Sequence, residues 1–201
     1  FARGRKPAAP GSLPDVVPRV CVQLPMFNEA AVARRCIAAA CALEWPADRL
    51  EIQVLDDSTE PDTRRLVEAM CADMRRRGVD CRLLRREQRD GYKAGALEAG
   101  RRVTDADLIV IFDADFVAPT NYLEQAVPHF FDADGRWIDD LALVQAQWGH
   151  LNHDESPLTR AQSLWVDDHH TIQMSWRAAK WDFVNFTGTA GIWRASAIER
   201  A

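Results

Sequence analysis

No apolar run in these 201 residues comes near the roughly 20 that a membrane-spanning helix requires, and the first residues carry no signal-peptide pattern. Positive charge is not in excess either. The net charge of −5 is the opposite of the basic balance of a general nucleic-acid binder, so nucleic acid is not an expected partner. Cysteine is sparse: Cys21, Cys36, Cys41, Cys71 and Cys81 form no Cys-x-x-Cys pair and their number is odd. That argues for buried free thiols in a reducing compartment rather than a disulfide framework. His150, His153, His169 and His170 lack the spacing of a familiar zinc set, and adjacent His169 and His170 face different sides of a helix. They read as structural or surface residues. There is no internal repeat. The chain opens without Met and stops abruptly, as a piece of a longer protein would.

What is present is an ordinary globular composition, 47% hydrophobic and 27% charged, with length enough for one domain and a substantial core. Residues 1–18, with Arg3, Arg5, Lys6 and four prolines, read as a basic, Pro-rich linker, and residues 19–201 as the domain. Alternation predicts a first strand at 20–24, ended by Pro25, and Asn28 suits the N-cap of a helix over 29–43. A second strand at 51–55 precedes a helix opened by Pro61 and stopped by Gly78. A third strand is expected at 79–84, a short helix from Gly91 to Arg101 and a fourth strand at 108–112. A helix over 121–131, a fifth strand at 141–147, a long helix from Pro157 to about Lys180 and a closing loop and strand complete the pattern. Such alternation implies an α/β fold, a mostly parallel sheet with helices on both faces. The seven tryptophans read mainly as core, with a sugar-stacking platform as the alternative.

Three of these strands end in carboxylates or their close company: Pro25-Met26-Phe27-Asn28-Glu29, Asp56-Asp57 and Asp113-Ala114-Asp115. If the strands are parallel, all three lie on one sheet edge, where open α/β sheets bind ligands. Carboxylates with Lys93, Arg86 and Arg89 suit a divalent cation and a diphosphate: oxygen holds the hard cation, and cation, Lys and Arg neutralise phosphate. Gly91 and Gly95 would let backbone approach the phosphates. Each part also has a plainer reading. Arg85, Arg86 and Arg89 could form a solvated loop, Lys93 could sit exposed on its helix, and Asp56 could cap the next helix.

In family order, Gln23-Leu24-Pro25-Met26-Phe27-Asn28-Glu29, Leu55-Asp56-Asp57-Ser58-Thr59, Gly91-Tyr92-Lys93-Ala94-Gly95 and Phe112-Asp113-Ala114-Asp115-Phe116 resemble the family 2 glycosyltransferases. Gln145-Ala146-Gln147-Trp148 and Phe186-Thr187-Gly188-Thr189-Ala190-Gly191 extend the likeness to the cellulose-synthase-like and glucomannan-synthase-like branch. The resemblance implies a GT-A fold and inverting transfer from a nucleotide-diphosphate sugar, of UDP-glucose or GDP-mannose type, to a glycan acceptor in β-glycan synthesis. It implies that Pro25, Phe27, Glu29, Asp57, Arg89, Lys93 and Ala114 contact the donor. Asp113 and Asp115 would hold Mg²⁺ or Mn²⁺ and, with Lys93, carry the catalytic charge, while Thr187, Gly188 and Thr189 would meet the acceptor. It further implies a place at the cytoplasmic face of the cell membrane, through flanking membrane helices of a full-length protein.

Departures from the family pattern bear on activity. The family's Glu-Asp stretch, whose Asp serves as general base, and its later Gln-x-x-Arg-Trp motif do not occur before Ala201. These 201 residues are therefore expected to bind donor without transferring sugar. Gln147 stands where relatives often carry Arg. A phosphohydrolase using Asp113 as nucleophile and Asp115 as acid is a rival reading, but it leaves Asp56-Asp57 and the glycine-lysine loop unexplained. A catalytically silent scaffold is another rival. A nucleotide-sugar pyrophosphorylase is weaker, since its glycine-rich first loop is missing.

Overall fold

The computed structural model describes residues 9–181 and 185–200. The first half of the expected linker, and Phe183 of the expected closing loop, lie outside them. Six strands form one sheet: β1 (Val20–Met26), β2 (Leu50–Asp56), β3 (Cys81–Leu84), β4 (Leu108–Ile111), β5 (Leu143–Gln145) and β6 (Gly191–Arg194), in the order β3-β2-β1-β4-β6-β5. β3, β2, β1 and β4 are mutually parallel, whereas β6 is antiparallel to both β4 and β5. β4 reads as an unbroken apolar run because both of its faces are covered, and β1 and β2 are equally buried but place polar side chains on one face.

On one face, Val20, Val22, Leu24 and Met26 of β1 pack with Ala33, Cys36, Ile37 and Ala40 of α1 (Ala30–Cys41) and Val67, Cys71 and Met74 of α2 (Pro61–Arg76). The other face, under α3 (Tyr92–Arg101), is partly polar. Buried Gln23 donates to Gln53 at 3.1 Å, Gln53 donates to Glu51 at 2.9 Å, and Thr104 closes the row onto Glu51 at 2.8 Å. Gly100 of α3 seats on this row, for a Cβ there would meet Gln53 Oε1 at 2.5 Å. The mostly parallel sheet with helices on both faces is as expected.

Boundaries differ where chemistry depends on distant neighbours. Pro25 does not end the first strand, which runs on to Met26. Gln23 gives its carbonyl to Phe112 N, so Pro25, two residues on, faces the same side, where β4 has already stopped; its missing N–H forfeits no ladder bond. Asn28 does not cap the first helix. It has φ 58° and turns its side chain to Thr59 and Glu60 N–H (2.9 and 3.1 Å), tying β1's end to β2's. The helix expected over 121–131 is α4 (Tyr122–Ala126) followed by a 3₁₀ turn, Val127–Phe130, since Pro128 withdraws a backbone donor. The fifth strand is only three residues long. The long helix is α5 (Pro157–Asp168), a π-helical stretch His169–Met174 and α6 (Ser175–Trp181); α7 (Ala195–Ile198) follows β6.

Residues 9–19 carry no regular structure but lie along the domain, with Gly11 and Ser12 donating to Pro128 and Asp132 carbonyls at 3.0 Å each. All five cysteines are free, and all but half-buried Cys41 are buried. The core reading of the tryptophans holds in part: Trp45, Trp137 and Trp148 are half-buried against the core, whereas Trp165, Trp176 and Trp181 are exposed on the long helix.

Candidate functional site

The chain order of the sheet reverses between β1 and β4, and the crevice at the carboxyl ends beside such a point is where doubly wound sheets take ligands. A cleft of about 370 Å³ opens there. Its lining includes Pro25, Phe27 and Glu29 from the end of β1, Asp57 from β2, and Asp113, Ala114 and Asp115 from β4. Arg89 and Lys93 reach in from the loop before α3 and from its first turn. Every residue assigned to the donor side from sequence thus meets in one place.

The charges in this cleft are paired in a definite way. Asp57 is only 8% exposed, and Arg86 forks onto it, Nε to Oδ1 at 3.1 Å and Nη2 to Oδ2. The same guanidinium donates to the Asp90 carbonyl (2.7 Å) and the Tyr92 carbonyl (3.0 Å). Arg86 is therefore a structural brace between Asp57 and the start of α3, which corrects its expected role as a phosphate neutraliser. Arg85 is spoken for as well, by buried Asp56 (3.0 Å), Glu68 (3.1 Å) and the Arg64 carbonyl (2.7 Å). Asp56 also accepts from Ser58 N–H at 3.1 Å and is not part of the cleft wall. Neither arginine belongs to a solvated loop. Arg89 remains at the cleft, its guanidinium 3.5 Å above the Phe27 ring centroid and its Nε 3.8 Å from Asp57.

Lys93 donates to Asp113 Oδ1 and, at 2.8 Å, to the carbonyl of Gly188. The Asp113 N–H donates to Thr189 Oγ1 at 3.0 Å. The stretch 187–190 reaches this edge because β6 runs antiparallel and pairs Gly191 with Ile111, so the start of β6 meets the end of β4. Asp115 is exposed, and its carboxylate has no hydrogen-bond partner among the described residues. Gly91 sits at φ 68°. Gly95 serves packing, for a Cβ there would lie 2.0 Å from the Asp90 carbonyl oxygen and 2.6 Å from Arg86 Nη1; a role in admitting phosphate is not what fixes it.

Sequence reasoning missed Gln145, whose amide holds the 187–190 stretch, and Cys36, whose thiol donates to the Asp113 carbonyl at 3.6 Å. Burial pushes that thiol up to about 12, with the nearby Asp115 charge adding to it. Gln145 lies inside a motif quoted above, so its spacing was visible while its partners were not.

The chain is similar to known glycosyltransferases. Over 187 residues, 92% of the chain, it is 44% identical to glucomannan 4-beta-mannosyltransferase 9 of Arabidopsis thaliana. Over the same length it is 41% identical to glucomannan 4-beta-mannosyltransferase 1 of Cyamopsis tetragonoloba. The chain spans 34% and 35% of those two relatives' lengths. Among solved structures, the mannosyltransferase PcManGT from Pyrobaculum calidifontis, in complex with GDP-Man and Mn²⁺, superposes with a TM-score of 0.70. That match has 22% identity and covers 98% of this chain and 50% of that one. Glucosyl-3-phosphoglycerate synthase from Mycobacterium tuberculosis gives a TM-score of 0.53 at 19% identity, over 89% and 57% of the two chains. The architecture is accordingly the GT-A fold. The family model described as glycosyl transferase family 2 matches residues 21–187, and the chain belongs to that family.

Proposed function

We propose that this domain binds a nucleotide-diphosphate sugar, of GDP-mannose or UDP-glucose type, and presents it for inverting transfer to a glycan acceptor in β-glycan synthesis. The observation that carries the reading is the cleft at the β1–β4 switch, lined by Phe27, Glu29, Asp57, Arg89, Lys93, Asp113 and Asp115. Phe27 and Arg89 form an aromatic and cationic pair suited to a nucleobase, and Glu29 and Asp57 supply acceptors for base or ribose donors. Relatives named as mannosyltransferases, and a neighbour solved with GDP-Man, favour the GDP-mannose alternative.

Asp113 and Asp115 fit a divalent cation such as Mg²⁺ or Mn²⁺. Both are hard oxygen donors, Asp115 is free to bind, and among the described residues no third His, Cys, Asp or Glu completes a protein cage. Such a cation is held by one or two carboxylates, with substrate phosphate and water filling its remaining positions. When bound, it would supply charge neutralisation to the leaving diphosphate. Lys93 acts beside it. By moving its ammonium from Asp113 to the diphosphate, it places a positive charge where negative charge gathers and frees Asp113 Oδ1. Thr187, Gly188 and Thr189 are the acceptor-side stretch, joined to the donor wall through Asp113 N–H and Lys93. Membrane association, at the cytoplasmic face and through helices flanking this domain in the full-length protein, belongs to the same proposal and rests on the family resemblance.

Titration calorimetry with GDP-mannose and UDP-glucose, each with and without Mn²⁺, tests the reading. One of the two donors should bind about tenfold or more tightly with Mn²⁺, a gain of about 1.4 kcal/mol. Asp115→Ala should erase that gain while leaving the metal-free affinity in place. An Asp115→Ala protein whose Mn²⁺-dependent affinity matches the native one would sink the assignment.

A further inference from the structure

We infer that Gln145 is the positioning residue that holds the 187–190 stretch in the shape by which it meets an acceptor. This rests on the acceptor-side reading of that stretch given above. Gln145 ends β5, at the far side of β6 from the donor cleft. Its amide nitrogen donates to the carbonyls of Thr189 (3.0 Å) and Ala190 (3.2 Å), and its amide oxygen accepts from Thr187 N–H at 3.2 Å. One side chain therefore reads three backbone groups of a four-residue stretch.

Only an amide can do this. A carboxylate would keep the acceptor for Thr187 but set lone pairs against two carbonyls, and an ammonium would do the reverse. The same network fixes which way the amide points. The stretch needs such a clamp because its backbone is unusual: Gly188 has φ 90°, and Ala190, which carries a Cβ, has φ 52°. A non-glycine residue in the left-handed region persists only when its surroundings over-determine it. Here Tyr122 Oη (3.1 Å) and Ala146 N–H (3.0 Å) also bind the Ala190 carbonyl.

The clamp's position gives it a functional consequence. The opposite side of the same stretch is gripped by Lys93 at Gly188 O and by Asp113 N–H at Thr189 Oγ1. Trp148, three residues past Gln145, donates its indole N–H to Thr187 Oγ1 at 3.3 Å. Gln145 thus sets the stretch from the β5 side while the donor wall sets it from the β4 side. Its removal should disturb acceptor recognition and spare nucleotide binding, since Gln145 does not line the donor cleft.

The test compares native protein with Gln145→Glu and Gln145→Leu by hydrogen exchange over residues 186–191, by calorimetry with GDP-mannose, UDP-glucose and Mn²⁺, and by NMR titration with a β-1,4-linked manno-oligosaccharide. Gln145→Glu should raise exchange across 188–190 and weaken the oligosaccharide about tenfold or more, with nucleotide affinity close to native. Thr187 N–H should stay protected in Gln145→Glu and lose protection in Gln145→Leu, a split that a merely destabilising change would not produce. Native-like exchange in Gln145→Glu would overturn the clamp. Raised exchange with unchanged oligosaccharide affinity, or no oligosaccharide binding by the native protein, would overturn the acceptor role. Failure of both nucleotides to bind native protein would instead count against the donor reading and leave the clamp to be judged on exchange alone.

Discussion

Arg86→Met is the change whose consequence can be worked most fully from the geometry. Arg86 and Asp57 are 17% and 8% exposed, and two guanidinium nitrogens meet two carboxylate oxygens. Removing one partner of a buried ion pair costs about 3–5 kcal/mol, because the other charge is left without compensation. Asp57 would keep Arg89 Nε at 3.8 Å, which places the expected loss at the lower end, about 3 kcal/mol of a total that is typically about 5–15. Arg86→Lys keeps the charge but loses the fork, so about 1.5 kcal/mol, the scale of one charged hydrogen bond, is expected. If the loss arises from a stranded carboxylate, Asp57→Asn added to Arg86→Met should recover about 1–2 kcal/mol. Guanidinium unfolding followed by circular dichroism gives all four stabilities. Arg86 also holds the Asp90 and Tyr92 carbonyls at the start of α3, so nucleotide binding should weaken in Arg86→Met by more than in Arg86→Lys. A double variant less stable than Arg86→Met would refute the stranded-charge account.

Two further predictions concern titration. Arg101 and Arg102 donate to Glu98 at 2.7 and 2.8 Å and hold its carboxyl at about 2. The folded value is lowered, so this contribution is fully present above the ordinary carboxylate range near about 4.3 and is lost as pH falls towards about 2; a melting curve of Glu98→Gln should fall less between those limits than that of the native protein, and parallel curves would contradict it. The thiols should be nearly inert in the native state. A hydrogen bond with the Cys41 thiol raises Cys81 to about 12, burial raises Cys36 to about 12, and Cys21 and Cys71 are raised as well. At mildly alkaline pH, Ellman's reagent should reach half-buried Cys41 at most, and all five thiols after unfolding; rapid native labelling of several would contradict the burial.

The parts of this fold legible in the sequence are those set by local pattern. Largely apolar stretches mark β1, β2 and β4 because both faces of the sheet are covered, with Gln23, Glu51 and Gln53 as the buried polar exceptions under α3. Their parallel pairing then delivers Glu29, Asp57 and Asp113 to one edge. What was not legible depends on partners remote in sequence. The direction of β6 is fixed by pairing Gly191 with Ile111, and nothing local distinguishes a parallel from an antiparallel strand of four residues. Pro25 looked like a terminator, and it is tolerated only because β4 stops at the level of Gln23. Arg85 and Arg86 looked like free cations because their carboxylates lie 29 residues earlier. The exposed tryptophans of the long helix escaped a rule that counts large aromatics as core.

The backbone itself marks the same edge by a separate route. The non-glycine residues with positive φ among the described residues are Asn28, Tyr92 and Ala190. They follow β1, open α3 and precede β6, so all three border the cleft or the stretch beside it. Each conformation is of a kind that costs on the order of 1–3 kcal/mol when left to itself. Each is held by polar contacts: Asn28 by Ser58, Thr59 and Glu60, Tyr92 by Arg86, and Ala190 by Gln145 and Tyr122. A fold selected for stability alone would relax such positions to glycine or extend the strands. Their concentration at one sheet edge, each locked by a different side chain, is what a site needs when backbone and carboxylates must stand in place before a ligand arrives. The carboxylates and the strained backbone are independent observations, and they fall on the same edge of the sheet.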